Sequence, residues 1–121
     1  MQTSANVTTK NYNKANVFYK IIQGELDAKI IYEDDNLLCF YDAYPKCKTH
    51  ALLIPKALVV DFDDFVATCQ NSPLQIADFF AKAKHIAANV LGLKNYQLHT
   101  NNGAGAGQVV FHFHLHIMSN E

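Results

Sequence analysis

An α+β fold, with an antiparallel sheet of about five strands and one main helix, is what this sequence predicts. Three observations predict it. The stretch Gly107 to Met118 alternates: His112, His114 and His116 are interleaved with Phe111, Phe113, Leu115 and Ile117. A period of two marks a strand, whose successive side chains point to opposite faces. Ser72-Pro73-Leu74-Gln75 opens a helix and Gly92 ends it. Ahead of that helix, short apolar runs are broken by turn residues, as strands are.

Composition bounds the rest. The 121 residues are 50% hydrophobic and 17% charged, enough apolar material for one core. Residues 1–14 are polar and aperiodic and read as a loose tail; 15–121 read as one domain. The formal net charge is −1 and no Lys/Arg run occurs, which argues against a nucleic-acid partner. No apolar run approaches the ~20 residues of a membrane span, and the N-terminus has no signal-peptide core. The three cysteines are an odd set without a CxxC pair, which suggests a cytoplasmic protein without disulfides.

The elements follow in order. Asn16 suits the cap of a short helix carrying Val17, Phe18, Ile21 and Ile22, with Gly24 at its end. Residues 29–33 and 37–42 read as strands joined by the turn Asp34-Asp35-Asn36. Residues 50–54 form a third strand, stopped by Pro55. Asp61, Asp63 and Asp64 suggest a turn or short helix, with solvated, helix-capping carboxylates. The run lacks the glycine and closing Glu of a calcium loop. The main helix, 73–91, carries the stripe Ile76, Phe80, Ala83, Ala87 and Val90, with Ser72 as cap, Gln75 closing a capping box and His85 on its surface. Residues 96–101 read as a fourth strand. The glycine-rich stretch 102–107 leads into the histidines as a permissive turn, or as backbone N–H groups open to an anion.

Three imidazoles on one strand face have three readings from the residues alone: a metal site, an anion site, or buried structural rings. Zinc accepts imidazoles, but no Asp, Glu or Cys adjoins the three; Asp42 is the nearest candidate. For an anion, the N–H groups of Gly107 and Gln108 and the rings offer donors. A neutral histidine is also a competent nucleophile towards phosphorus.

The stretch Gln108 to Met118 resembles the histidine triad, H-φ-H-φ-H-φ-φ, of HIT proteins. Phe18 to Ile22, Ala28 to Asp35, Phe40-Tyr41-Asp42, Thr49 to Lys56 and Asn101-Asn102-Gly103 with Ala106-Gly107-Gln108 resemble the family's other blocks in order. The resemblance spans about residues 16 to 118. It implies a HIT-like fold and a nucleotide hydrolase or transferase that acts at the α-phosphate without metal or other cofactor. His114 would attack phosphorus and form a nucleotidyl-histidine, which water hydrolyses to a nucleoside monophosphate. His116 would contact the phosphate and serve the leaving group. His112 would hydrogen-bond the phosphate, backed by His50. Asp42 would hold the ribose, and Val17, Phe18, Ile21, Phe40 and Leu52 would wall the purine. Asn101, Gly107, Gln108 and Val109 would lie at the phosphate.

His116, where the transferase branch has Gln, points to hydrolysis. The end at Glu121 lacks the extensions of the DNA-repair and dinucleoside polyphosphate branches. The Hint-type branch remains, which cleaves P–N bonds of purine nucleoside 5′-phosphoramidates and is usually a homodimer. Val109 departs from the Ser or Thr frequent in relatives and cannot donate to a leaving group. Tyr19 replaces a cysteine that binds structural zinc in some bacterial relatives, so no metal is expected. His99 is expected near the phosphate end or the dimer seam, or as a partly buried ring with a backbone partner. Alternatives are a dinucleoside polyphosphate hydrolase, a metal-dependent hydrolase using the histidines, and a non-catalytic nucleotide sensor.

Overall fold

In the computed structural model, residues 10–121 are described; residues 1–9, most of the stretch read as a loose tail, lie outside them. The elements are α1 (Val17–Ile22), β1 (Ile30–Glu33), β2 (Leu37–Tyr41), β3 (Thr49–Pro55), α2 (Phe62–Thr68), α3 (Pro73–His85), β4 (Gln97–His99) and β5 (Leu115–Ser119). The strands form one antiparallel sheet in the order β1-β2-β3-β5-β4, as the α+β reading requires.

The two faces of the sheet bury different clusters. One face sets Leu37, Cys39, Ala51, Leu53, Leu115 and Ile117 against Phe65, Phe79, Ala83, Ile86 and Ala87 of the helical layer. The other sets Leu38, Phe40, Leu52 and Ile54 against Phe18 of α1. Both faces are apolar because both carry a helix, so the strand sequences run continuously hydrophobic. Asn16 caps α1 as expected, its side chain accepting from Tyr19 N–H at 2.9 Å.

The helix readings need three corrections. Ser72 makes no side-chain cap bond, and Gln75 accepts from the Cys69 thiol instead of closing a capping box. The buried stripe of α3 runs through Phe79, Ala83, Ile86 and Ala87, while Phe80 and Val90 are exposed. The helix continues past His85 as a π-helical turn, Ile86–Val90, ending before Gly92 at φ +67°. Its wider turn shifts the buried face, which a 3.6-residue period does not anticipate. Finally, Asp61 does cap α2, accepting from Asp64 N–H at 2.9 Å, but Asp61 and Asp64 are buried, not solvated. Asp64 is occupied by Val60 N–H at 2.8 Å.

The histidine stretch is a strand only in its second half. The ladder pairs Leu53 with Leu115 and Leu52 with His116, so Pro55 falls opposite Phe113. Proline has no N–H to give. Phe113 N–H turns to Val59 O at 2.8 Å, and the chain ahead of Leu115 leaves the ladder. His112 and His114 therefore sit on irregular backbone, while Phe113, Leu115 and Ile117 still enter the core.

Candidate active site

Four histidines converge on the face carrying α1. Their tautomers follow from their partners, because a carbonyl oxygen can only accept. His114 Nδ1 lies 2.7 Å from the His112 carbonyl, so Nδ1 carries the proton and Nε2 keeps its lone pair. Among the described residues no hydrogen-bond partner is found for that Nε2. The ring is edge-on to Phe18, with centroids 5.0 Å apart, and is mostly buried. Burial pushes its pKa down, so the imidazole is neutral near pH 7.

His116 is set by a second chain of bonds. Lys46 N–H donates to His50 Nδ1 at 3.1 Å, so in neutral His50 the proton sits on Nε2. That Nε2–H donates to His116 Nδ1 at 2.9 Å, with Asp42 Oδ2 3.3 Å away as a second acceptor. His116 therefore carries its proton on Nε2. Its ring centroid lies 5.0 Å from that of His114, so a ring whose Nε2 keeps a lone pair adjoins one whose Nε2 carries the proton. Burial, reinforced by the neighbouring His114, His50 and His99, holds the His116 pKa down to about 4.

His112 is different. Nε2 lies 2.7 Å from Pro55 O, and Nδ1 lies 2.5 Å from the Tyr12 hydroxyl. The carbonyl accepts from Nε2–H, and the phenol donates to Nδ1. Both nitrogens are committed within the protein, and the ring is wholly buried. The expected phosphate bond from His112, backed by His50, is not the arrangement observed: His50 backs His116 instead. The reason lies in the ladder, which sets Leu52 opposite His116 and so places His50 two residues along the same face.

Most of the residues expected to wall the purine lie together, as a packed cluster. Phe18, Phe40 and Leu52 are buried beside Ile21, and Val17 is at the surface of the same helix. Asp42 stands at the end of β2, with Oδ1 taken by Tyr44 N–H at 2.8 Å. The phosphate loop differs from expectation. Gly107 and Gln108 N–H groups close the turn onto Ala104 O and Gly103 O, at 3.0 and 3.1 Å, and are not turned to an anion. A turn this tight, with Gly103 and Gly107 at φ +96° and +93°, consumes its own donors. The Gln108 side chain is buried as a staple, bonding Val60 O, Val110 O and Gly103 N–H. Asn101 bridges Ala106 O and His99 Nε2, and Val109 is exposed. His99 is exposed, with a side-chain rather than a backbone partner; its ring lies 5.3 Å from His116.

The metal reading can be weighed on the same bonds. Asp42, His50 and His116 bring ligand atoms within 4.8 Å of one another. To bind a cation through Nε2, however, neutral His50 would have to move its proton to Nδ1, against Lys46 N–H. The donor set fits a proton path better than a cation.

Sequence reasoning missed Tyr12, Lys46 and Pro55. Pro55 and Lys46 act through backbone atoms, which residue type does not advertise. Tyr12 lies in the stretch read as a tail. Burial pushes its phenol pKa up, so it stays a donor.

A stability prediction arises here. His112 and His116 are both held to about 4, chiefly by burial. In the unfolded chain they titrate near ~6.5. Between those values the unfolded state binds more protons, so stability falls as pH drops through the window. Each ring contributes a slope of up to about 1.4 kcal/mol per pH unit. Urea midpoints measured from pH 7 to pH 4.5 should decrease steadily; a flat series contradicts the buried neutral rings.

Known proteins resemble this chain over most of its length. A HIT domain model matches residues 23–121. An uncharacterised HIT-like protein of Rickettsia prowazekii is 45% identical over 109 residues, covering 88% of each chain. A solved structure named a Hit-like protein superposes with a TM-score of 0.78 at 42% identity, covering 88% of this chain and 99% of that one. A Legionella pneumophila structure, named a HIT family hydrolase, has a TM-score of 0.75 at 37% identity, covering 88% and 93%.

Proposed function

Because this chain belongs to the HIT domain family, we propose that it is a nucleotide hydrolase working through a covalent nucleotidyl-His114. Its substrates, in this reading, are purine nucleoside 5′-phosphoramidates. The observation that carries it is the pair of opposed tautomers: a lone pair on His114 Nε2 beside an N–H on His116 Nε2. One group attacks while its neighbour's N–H holds the departing nitrogen as that nitrogen takes up a proton, as covalent catalysis with an assisted leaving group requires.

The steps balance. His114 Nε2 attacks the α-phosphorus and an N–P bond forms. The bond from phosphorus to the amine breaks as the amine nitrogen, hydrogen-bonded by His116 Nε2–H, takes up a proton from solvent. Water then attacks phosphorus and gives up a proton to solvent. The N–P bond breaks, the nucleoside monophosphate departs, and His114 is restored. An amine needs a proton to leave far more than a phosphate does, which favours phosphoramidates for a site built around an N–H donor. The base would pack between Phe18, Phe40 and Leu52, with Val17 and Ile21 at its rim, and Asp42 would accept from the ribose hydroxyls. The name of the Legionella pneumophila structure supports the hydrolase part of this reading.

A homodimer belongs to the same reading. β4 is a sheet edge, and its residues, including Leu98, are exposed. An uncovered edge can pair with a second copy.

The test is hydrolysis of AMP-amide and AMP-lysine in excess EDTA, with acid-quenched protein analysed by mass spectrometry. Turnover that persists in chelator, with one nucleotidyl group on His114, is expected. Loss of turnover with EDTA points to the metal-dependent alternative. Tight AMP binding without turnover points to a sensor.

A further inference from the structure

We propose that Tyr12, on the segment before α1, is a positioning residue for His114 that acts through His112. The proposal rests on the nucleotidyl-transfer reading for its kinetic consequence. It goes beyond it by naming what keeps the nucleophile in its reactive tautomer.

The need arises from the ladder. His112 and His114 precede the paired part of β5, so sheet hydrogen bonds do not hold their peptide groups in place. Yet the His112 carbonyl is the acceptor that keeps the proton on His114 Nδ1. That carbonyl must be fixed by other means. One is the N–H of the same peptide, Phe113 N–H, which donates to Val59 O at 2.8 Å. The His112 ring supplies the other, gripped at both nitrogens: Pro55 O at 2.7 Å on one side and the Tyr12 hydroxyl at 2.5 Å on the other. The Tyr12 ring also packs edge-on against the His112 ring, with centroids 5.4 Å apart at 83°.

Tyr12 is itself held. Lys10 Nζ pairs with the carboxylate of Asp61, the cap of α2. On the other side, Asn13 O accepts from the Asn16 side chain at 2.9 Å, and Asn13 Oδ1 accepts from Ala15 N–H at 2.9 Å. The Tyr12 ring rests edge-on against Tyr19 of α1, with centroids 6.1 Å apart. The segment is thus tied to α1 and α2 and delivers one hydroxyl to one buried nitrogen. A buried imidazole nitrogen left without its donor would be costly and would loosen the ring. Movement of the His112 peptide would then release His114 Nδ1–H and let its proton shift to Nε2. That tautomer has no lone pair for phosphorus.

The experiment compares the full-length chain with Tyr12→Phe by ¹⁵N NMR of the imidazole nitrogens and by steady-state kinetics on AMP-amide. In the unmodified protein, His112 should show a hydrogen-bonded, unprotonated Nδ1 and a protonated Nε2. A protonated or solvent-exposed Nδ1 overturns the proposal, whether or not the variant folds. In Tyr12→Phe, His114 should change from one tautomer to a mixture. We expect kcat to fall about tenfold, with KM unchanged within about twofold. A His114 that keeps its single tautomer, or an unchanged kcat beside a tautomer mixture, overturns it too. Should the unmodified protein not hydrolyse AMP-amide, the phosphoramidase reading fails by itself, and the NMR comparison still decides the role of Tyr12.

Discussion

His114→Ala is expected to lower the turnover of AMP-amide by about 10⁴-fold or more and to abolish the nucleotidyl adduct. The size of the effect follows from what is lost. Without Nε2 there is no atom to form the N–P bond, and the two-step path closes. Direct attack by water must then proceed with the remaining groups, His116 Nε2–H and the pocket, which stabilise but do not bond covalently. The ring contributes little else that alanine cannot do: its Nδ1 bond is local, and its contact with Phe18 is an edge. The variant should therefore still bind AMP, and calorimetry of AMP binding separates a lost nucleophile from a lost fold. A variant that retains turnover within tenfold of the parent protein would remove His114 from the chemistry. Protonation does reversibly what alanine does permanently. Burial lowers the His114 pKa, so the acid limb of the rate profile should lie below the ordinary ~6.5 of histidine.

Much of this site was legible along the chain, and the illegible part has a common cause. The alternation around the three histidines assigns Phe111, Phe113, Leu115 and Ile117 to the core and the imidazoles to the opposite face; the burial agrees for Phe113, Leu115 and Ile117, while Phe111, ahead of the paired part of the strand, is exposed. Alternation cannot say where pairing stops. That depends on Pro55, some sixty positions earlier, whose missing N–H interrupts the ladder opposite Phe113. The same holds for proton positions. Residue types announce four imidazoles, but which nitrogen carries each proton is decided by Pro55 O, His112 O and Lys46 N–H. Every residue owns such groups, so they leave no mark in a sequence. The glycines of 103–107 mislead for a related reason: glycine permits close approach of an anion, but it equally permits a turn that spends its N–H groups internally. In α3 the apolar positions are visible, but Phe79 and Phe80 are adjacent and a helical period admits either; the inward stripe runs Phe79, Ala83, Ile86 and Ala87, and the π-turn at Ile86–Val90 leaves Val90 outside it.

Phe113→Ala is expected to cost about 3–5 kcal/mol of folding free energy, measured by urea unfolding at pH 7. Phe113 is 1% exposed and lies at the meeting point of three rings. It stacks on Phe65 at 4.7 Å and 14°, and meets Phe79 at 5.4 Å and Phe62 at 6.2 Å. Its truncation opens a cavity between the sheet and α2, and the two helices can collapse into it only by breaking the Phe65–Phe79 contact, at 5.0 Å. The position also separates this residue from an ordinary core phenylalanine. Its neighbours in the chain are His112 and His114, and its own N–H, through Val59 O, is one of the bonds that replace the missing ladder. The cost should therefore extend beyond stability. At temperatures where the variant is still fully folded, kcat should fall, because the peptide that carries the His112 carbonyl loses its anchor in the core. Phe79→Ala supplies the control, since it removes a comparable ring from the same cluster and leaves every side chain of the histidine segment in place. Equal loss of kcat in both variants, at matched folded fractions, would show that the ring acts through the core alone. A loss confined to Phe113→Ala ties the packing of one side of the sheet to the proton arrangement on the other.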